Sequence, residues 1–172
     1  MSQTSKLFLI GPMGAGKTSV GKQLAKALKR DFFDSDKEIE DRTGVNIPTI
    51  FDIEGESGFR HREQQVIDEL TQHDNIILAT GGGAVLNKDN QKALQSRGIV
   101  FYLSASIGQL YQRTHRDRNR PLLQTDNPKQ KITELVEIRD PIYRSIADFV
   151  IDTDGQSVRK VVDDILRCLE EH

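Results

Sequence analysis

The chain has 172 residues, enough for one domain with a sizeable core, and its net charge of −2 provides no global basic field to draw nucleic acid or a membrane. Its one cysteine, Cys168, excludes an intramolecular disulfide, which fits a cytoplasmic home. No apolar run approaches the length of a membrane span, and the first residues lack the basic and long apolar stretches of a signal peptide.

The first element is the apolar run Lys6-Leu7-Phe8-Leu9-Ile10, which reads as a buried strand. It leads into Gly11-Pro12-Met13-Gly14-Ala15-Gly16-Lys17-Thr18, a match to G-x-x-x-x-G-K-[ST] at every fixed position. Val20, Leu24, Ala27 and Leu28 then recur at helical spacing, so the motif occupies a strand–loop–helix junction. Each residue type has a task there. Gly11, Gly14 and Gly16 allow a tight turn whose N–H groups point at a phosphate, and the helix N-terminus adds partial positive charge. Lys17 can reach the β- and γ-phosphates, and Thr18 offers a hydroxyl to Mg²⁺. The motif indicates a nucleoside triphosphate without saying what is done with it.

Further apolar runs occur at Phe32–Phe33, Ile76–Ala79, Ile99–Leu103 and Phe149–Ile151, separated by helical patterns. That alternation predicts a parallel sheet with helices on its faces. The clearest helix carries Val158, Val161, Val162, Ile165, Leu166 and Leu169, with Cys168 on it as an ordinary helix residue. Gly98 reads as a helix C-cap before strand four, and Pro141 as a break or kink in the helix of Leu135, Ile138 and Ile142.

Ligands of such sheets lie beyond the carboxyl ends of the strands, so the residues just after each apolar run should line the site. Strand two leads into Asp34-Ser35-Asp36. In an extended segment both carboxylates can face one space, ready for Mg²⁺ or a substrate hydroxyl; the competing reading is a helix N-cap at Asp36. Strand three leads into Thr80-Gly81-Gly82-Gly83, suited to close backbone approach by a ligand. Strand four leads through a helix to Arg113 and His115-Arg116-Asp117-Arg118-Asn119-Arg120-Pro121, four arginines in eight residues. This is either a solvated basic face or a lid over the triphosphate, and its flanking Pro121 and Asp126-Asn127-Pro128 favour the lid. Arg60 and Arg139 stand outside these loops, and spacing alone does not distinguish them from Arg42 or Arg97. Two partial motifs fail. His115-Arg116-Asp117 lacks the asparagine and the Asp-Phe-Gly of protein kinases. Asp52-Ile53-Glu54-Gly55 matches a GTPase switch but comes after no clear strand, and no N-K-x-D accompanies it.

Taken together, these residues resemble the shikimate kinase family over nearly the whole chain. The resemblance rests on Gly11–Thr18, Asp34-Ser35-Asp36, Ile47–Phe51 with Gly55-Glu56 and Phe59-Arg60, Thr80–Gly83, Arg120-Pro121-Leu122 and Arg139-x-Pro141-x-Tyr143. It implies a three-layer α/β/α, nucleoside-monophosphate-kinase-like fold. The parallel sheet has five strands in order 2-3-1-4-5, and a mobile lid lies at about residues 113–127 of a single domain. It implies transfer of the ATP γ-phosphoryl to the 3-hydroxyl of shikimate, with Mg²⁺, by a monomer. Under the same resemblance Gly14, Ala15, Gly16, Lys17, Thr18 and Ser19 hold phosphates, Thr18 ligates the metal, and Asp34 holds its water shell. Asp36 binds the substrate hydroxyls and acts as base. Arg60, Arg139 and the Gly82 amide take the substrate, Arg120 closes on the phosphates, and Arg113 and Gln156 lie against adenine. A gluconate kinase or nucleoside-monophosphate kinase of the same architecture is the alternative, and the Asp-Ser-Asp and Arg-x-Pro-x-Tyr pieces weigh against both.

Overall fold

The computed structural model describes residues 5–114 and 126–172. Five parallel strands form one sheet: β1 (Lys6–Ile10), β2 (Asp31–Asp34), β3 (Ile76–Ala79), β4 (Ile99–Ser104) and β5 (Phe149–Asp152). Their order is β2-β3-β1-β4-β5, as the resemblance implies, with pairs such as Phe8↔Leu78 and Phe8↔Val100 setting the central register. The helices are α1 (Lys17–Leu28), α2 (Ser35–Thr43), α3 (Ile47–Leu70), α4 (Lys88–Arg97), α5 (Ile107–Thr114), α6 (Pro128–Ile146) and α7 (Val158–Glu171).

The central strands are apolar at nearly every position because both faces are covered. In β1, Leu7 and Leu9 enter one core with Val20 and Leu24 of α1 and Val161 and Ile165 of α7. Phe8 and Ile10 point the other way, into a second core with Ile39 of α2, Val66 and Leu70 of α3, Leu94 of α4 and Tyr143 of α6. This is the period-two alternation of a strand read against two helical layers. Leu7, Phe8, Leu9 and Ile10 have no exposed surface, and each such side chain contributes roughly 1.5–3 kcal/mol of apolar burial.

Local signals set the helix ends. Asn46, Asn87, Asn127 and Ser157 cap α3, α4, α6 and α7 by accepting backbone N–H groups. Two punctuation marks need the fold to be read in full. Gly98 is the C-cap of α4, as expected, with an extended φ of −164°. Its reason is space, since a Cβ there would collide with the Lys6 carbonyl oxygen and lie 2.7 Å from the Phe8 ring. Pro141 does not end its helix, for α6 continues to Ile146. Most of the expected lid, 115–125, lies outside the described residues.

Candidate active site

The carboxyl ends of β1, β2 and β3 open into a cleft of about 440 Å³. Met13, Gly14, Gly16, Lys17, Thr18 and Ser19 line one side of it. Here the chain needs glycine. Gly14 and Gly16 have φ of 87° and 92°, and a Cβ on Gly11 would meet the Leu103 carbonyl oxygen at 2.5 Å. Ala15 is buried, and its N–H donates to Pro12 O at 3.2 Å to close the loop's turn. Gly16 is the N-cap of α1 and gives it no side-chain cap, so the positive end of the helix dipole faces the cleft without a protein side chain on it. Lys17 Nζ donates to Gly11 O at 2.6 Å and Pro12 O at 2.9 Å, which holds the ammonium across the loop. From the last turn of α5, Arg113 donates to Gly14 O at 2.9 Å and also lines the cleft.

Asp34 and Asp36 meet in the cleft for a reason other than strand alternation. The helix α2 already starts at Ser35, and Asp34 is its N-cap, accepting from the N–H groups of Asp36 (3.0 Å) and Lys37 (3.2 Å). The cap is therefore Asp34, not Asp36. Its other oxygen accepts from Thr18 Oγ1 at 2.7 Å, tying the phosphate loop to β2. Asp36 occupies the first helical turn with its carboxylate against Gly81, where a Cβ would lie 2.6 Å from Asp36 Oδ1.

Thr18 and Asp34 are adjacent hard oxygen donors, and among the described residues no group of three or more His, Cys, Asp and Glu could hold a metal alone. That arrangement fits Mg²⁺, which keeps waters and phosphate oxygens and takes only one or two protein ligands.

The glycine triplet is the centre of the other side. Gly81 N–H donates to Ser35 Oγ at 3.0 Å, and Gly82 O accepts from the buried Tyr143 hydroxyl. Two arginines converge here. A Cβ on Gly83 would collide with the Arg60 guanidinium, and one on Gly82 would lie 3.4 Å from Arg139 Nη1. Thus α3 and α6, far apart in sequence, each bring a guanidinium to the same loop. Arg139 is 4% exposed, and burial lowers its pKa from the ordinary arginine value. Arg42 and Arg97 do not meet this loop: no arginine other than Arg60 and Arg139 is among the nearest neighbours of Gly81–Gly83, while Arg42 pairs with Glu38 and Glu69, and Arg97 with Asp68.

Sequence reasoning missed Glu63. Its Oε1 accepts from Arg60 Nη1 at 3.0 Å, and its side chain is 1% exposed. Burial pushes its pKa up to about 7, with Asp36 adding to the rise and Arg60 opposing it. A signal was present. Phe59, Glu63, Val66, Ile67 and Leu70 are all buried on one stripe of α3, so Glu63 holds a position where an apolar residue is expected. The stretch Asp52–Gly55 lies within α3 rather than in a switch loop, and Gly55, at φ 73° and ψ 177°, kinks it.

Other expected residues are not joined to this site. Gln156 is exposed in the loop before α7 and is not among the cleft's lining residues. Arg120 lies outside the described residues.

The family model described as shikimate kinase matches residues 13–170. The chain is 55% identical to the shikimate kinase of Methylococcus capsulatus over 171 residues, covering 99% of this chain and 96% of that protein. It is 50% identical to the shikimate kinase of Vibrio cholerae, covering 100% and 99%. The solved structure of shikimate kinase from Acinetobacter baumannii in complex with shikimate superposes with a TM-score of 0.96 at 49% identity, over 98% of this chain and 94% of that one. A gluconokinase from Sinorhizobium meliloti, at 17% identity and a TM-score of 0.63, covers 99% and 97% and shares the fold alone.

Proposed function

The chain belongs to the shikimate kinase family, and on that premise we propose how Asp36, Lys17, Thr18 and the arginines divide the work of the reaction. The protein is a small-molecule kinase of the shikimate pathway that transfers the γ-phosphoryl of ATP to shikimate. ATP phosphates lie on the N–H groups of Gly14, Ala15, Gly16, Lys17, Thr18 and Ser19, at the uncapped start of α1. Lys17 leaves its two loop carbonyls for the β- and γ-phosphates, a favourable exchange of neutral acceptors for anionic ones. Thr18 and the water shell held by Asp34 seat Mg²⁺, which when bound neutralises charge on the phosphate oxygens.

Shikimate lies over the glycine triplet. Arg60 and Arg139 grip its carboxylate, since a guanidinium fork matches a carboxylate bidentately. The Gly82 N–H contacts the substrate, and Asp36 orients the 3-hydroxyl toward the phosphate loop. In the transfer the hydroxyl oxygen bonds to the γ-phosphorus, the bond to the β-γ bridging oxygen breaks, and Asp36 takes the hydroxyl proton. Arg120, on the lid formed by about residues 113–127, neutralises charge on the transferring oxygens, and closure of that lid excludes water. Arg113, and through the loop before α7 Gln156, flank the adenine. The reading places a monomer in the cytoplasm; among the described residues no helix is long and apolar enough to cross a membrane.

The observation that carries this reading is the convergence of Arg60 and Arg139 on the loop that also faces Asp36. It favours a small carboxylate with a hydroxyl over a nucleotide acceptor. A coupled assay with ATP tests it. ADP should form with shikimate, in a Mg²⁺-dependent way, and not with gluconate or nucleoside monophosphates; turnover with gluconate alone would overturn it.

A further inference from the structure

The division of work among these residues leaves one buried acid without a task. Glu63 Oε2 has no hydrogen-bond partner among the described residues, while its Oε1 is tied to Arg60. The unpartnered oxygen points at Gly81, where a Cβ would lie 2.9 Å from it and 2.6 Å from Asp36 Oδ1, so the two carboxyl groups are near neighbours across one glycine. The groups facing Glu63 come from each element packed around it. They are Arg60 on its own helix, Asp36 on α2, and Arg139 with the Tyr143 hydroxyl on α6. Glu56 holds the other edge of Arg60, 3.4 Å from Nη2.

We propose that Glu63 takes up a proton when the substrate carboxylate docks on Arg60 and Arg139, so that shikimate binding is linked to pH through a residue that never touches the substrate. The inference rests on the carboxylate grip proposed for those two arginines. Its physical basis is charge. In the free protein two guanidinium groups offset the charge of Glu63, against burial and the neighbouring Asp36. A docked carboxylate claims the same two guanidinium groups and adds a negative charge close by in a poorly solvated site. Glu63, Asp36 and the docked carboxylate, with Glu56 at the exposed edge, then face only two arginines, and protonating the most buried carboxyl relieves that costly state. The carboxyl sits near the point where this costs little, because burial already moves its titration to about 7.

The proton count sets the sign. Well below pH 7 the carboxyl is already neutral and binding takes up nothing. Above it, binding draws a proton from solvent, and affinity falls by up to about tenfold per pH unit until Glu63 is ionised in the complex as well.

Titration calorimetry of the whole chain with shikimate and no nucleotide reads this directly, in buffers of unequal ionisation enthalpy between about pH 6.5 and 8.5. Wild type should take up a sizeable fraction of a proton near pH 8, and its Kd should weaken severalfold from pH 7 to 8. Glu63→Gln should show no uptake and a flat Kd over that interval. No uptake in wild type, or uptake that survives in Glu63→Gln, overturns the proposal. If Glu63→Gln does not fold, shikimate amide with wild type serves instead: it brings no charge and should bind without uptake, and equal uptake with acid and amide overturns the proposal. The outcomes also separate the two claims. Acid and amide binding equally well would sink the carboxylate grip itself, whereas a strong preference for the acid without proton uptake sinks only the role of Glu63.

Discussion

In the half of the cleft proposed to hold phosphate, the lining groups belong to one short loop and the helix start beyond it, and they are largely backbone. In the other half they are side chains from α2, α3 and α6 gathered round Gly81–Gly83. The first half is held by conformation: glycines at positive φ, a close approach to β4, and a helix left uncapped where α2, α3, α4, α6 and α7 receive side-chain caps. The second half is held by charge, with Arg60 between Glu56 and Glu63, and Arg139 buried against Tyr143. Substitutions in the second half should therefore act through ion pairing, depend on pH, and leave nucleotide binding largely alone. Asp36 stands between the halves, beside the Asp34 cap that touches Thr18 and against the glycine on which Glu63 also packs.

The largest effect is expected at that joint. Asp36→Asn retains the shape of the side chain but cannot take a proton, so turnover should fall by ~10²–10⁴-fold. ATP affinity, measured by equilibrium binding, should stay near wild type. Turnover within a fewfold of wild type would make Asp36 a helix residue and leave the two halves without a shared base.

Arg120→Ala probes whether the basic stretch serves the phosphate half. Loss of a charged donor to the transferring oxygens should cost about 10²–10³ in turnover. Shikimate affinity in the absence of nucleotide should be unchanged. A loss in that affinity as large as the loss in turnover would move Arg120 to the substrate half.

Gly81→Ala is gentler. Its Cβ must push aside the carboxyl ends of Asp36 and Glu63, an overpacking that costs roughly 1–3 kcal/mol. The loss should appear in shikimate affinity and in the melting temperature, with ATP affinity intact. An equal loss in ATP affinity would show that the halves are mechanically coupled through this loop.

The same contrast explains what the sequence made legible. The phosphate loop could be read because all of its parts are contiguous, and each glycine answers a backbone requirement within eight residues. The sheet could be read because buried strands are apolar nearly throughout. Arg60 and Arg139 could not be separated from Arg42 and Arg97 by spacing, because their meeting depends on where α3 and α6 cross the glycine loop. Family resemblance supplied that information instead. Glu63 was hidden by an ordinary i,i+3 pattern with Arg60, and only its place on the apolar stripe of α3 marks it. Asp34 and Asp36 both line the cleft, but not through strand alternation, since a helix begins between them where an extended segment was expected. Gly98 could be read as the cap of α4, but the reason that glycine is needed there, close packing against β1, appears only in the fold.

The most direct test of a substrate half that recognises by charge compares shikimate with its neutral carboxamide in wild type, Arg60→Ala and Arg139→Ala, by equilibrium binding without nucleotide. Each arginine removal should weaken shikimate by ~2–5 kcal/mol, with the two losses non-additive because both side chains act on one carboxylate. Wild type should bind the amide poorly, the variants should lose much less than wild type on switching to it, and ATP affinity should hardly move. If each variant weakens acid and amide by the same factor, Arg60 and Arg139 do not read the carboxylate, and the division of the cleft into a backbone half and a charge half is wrong.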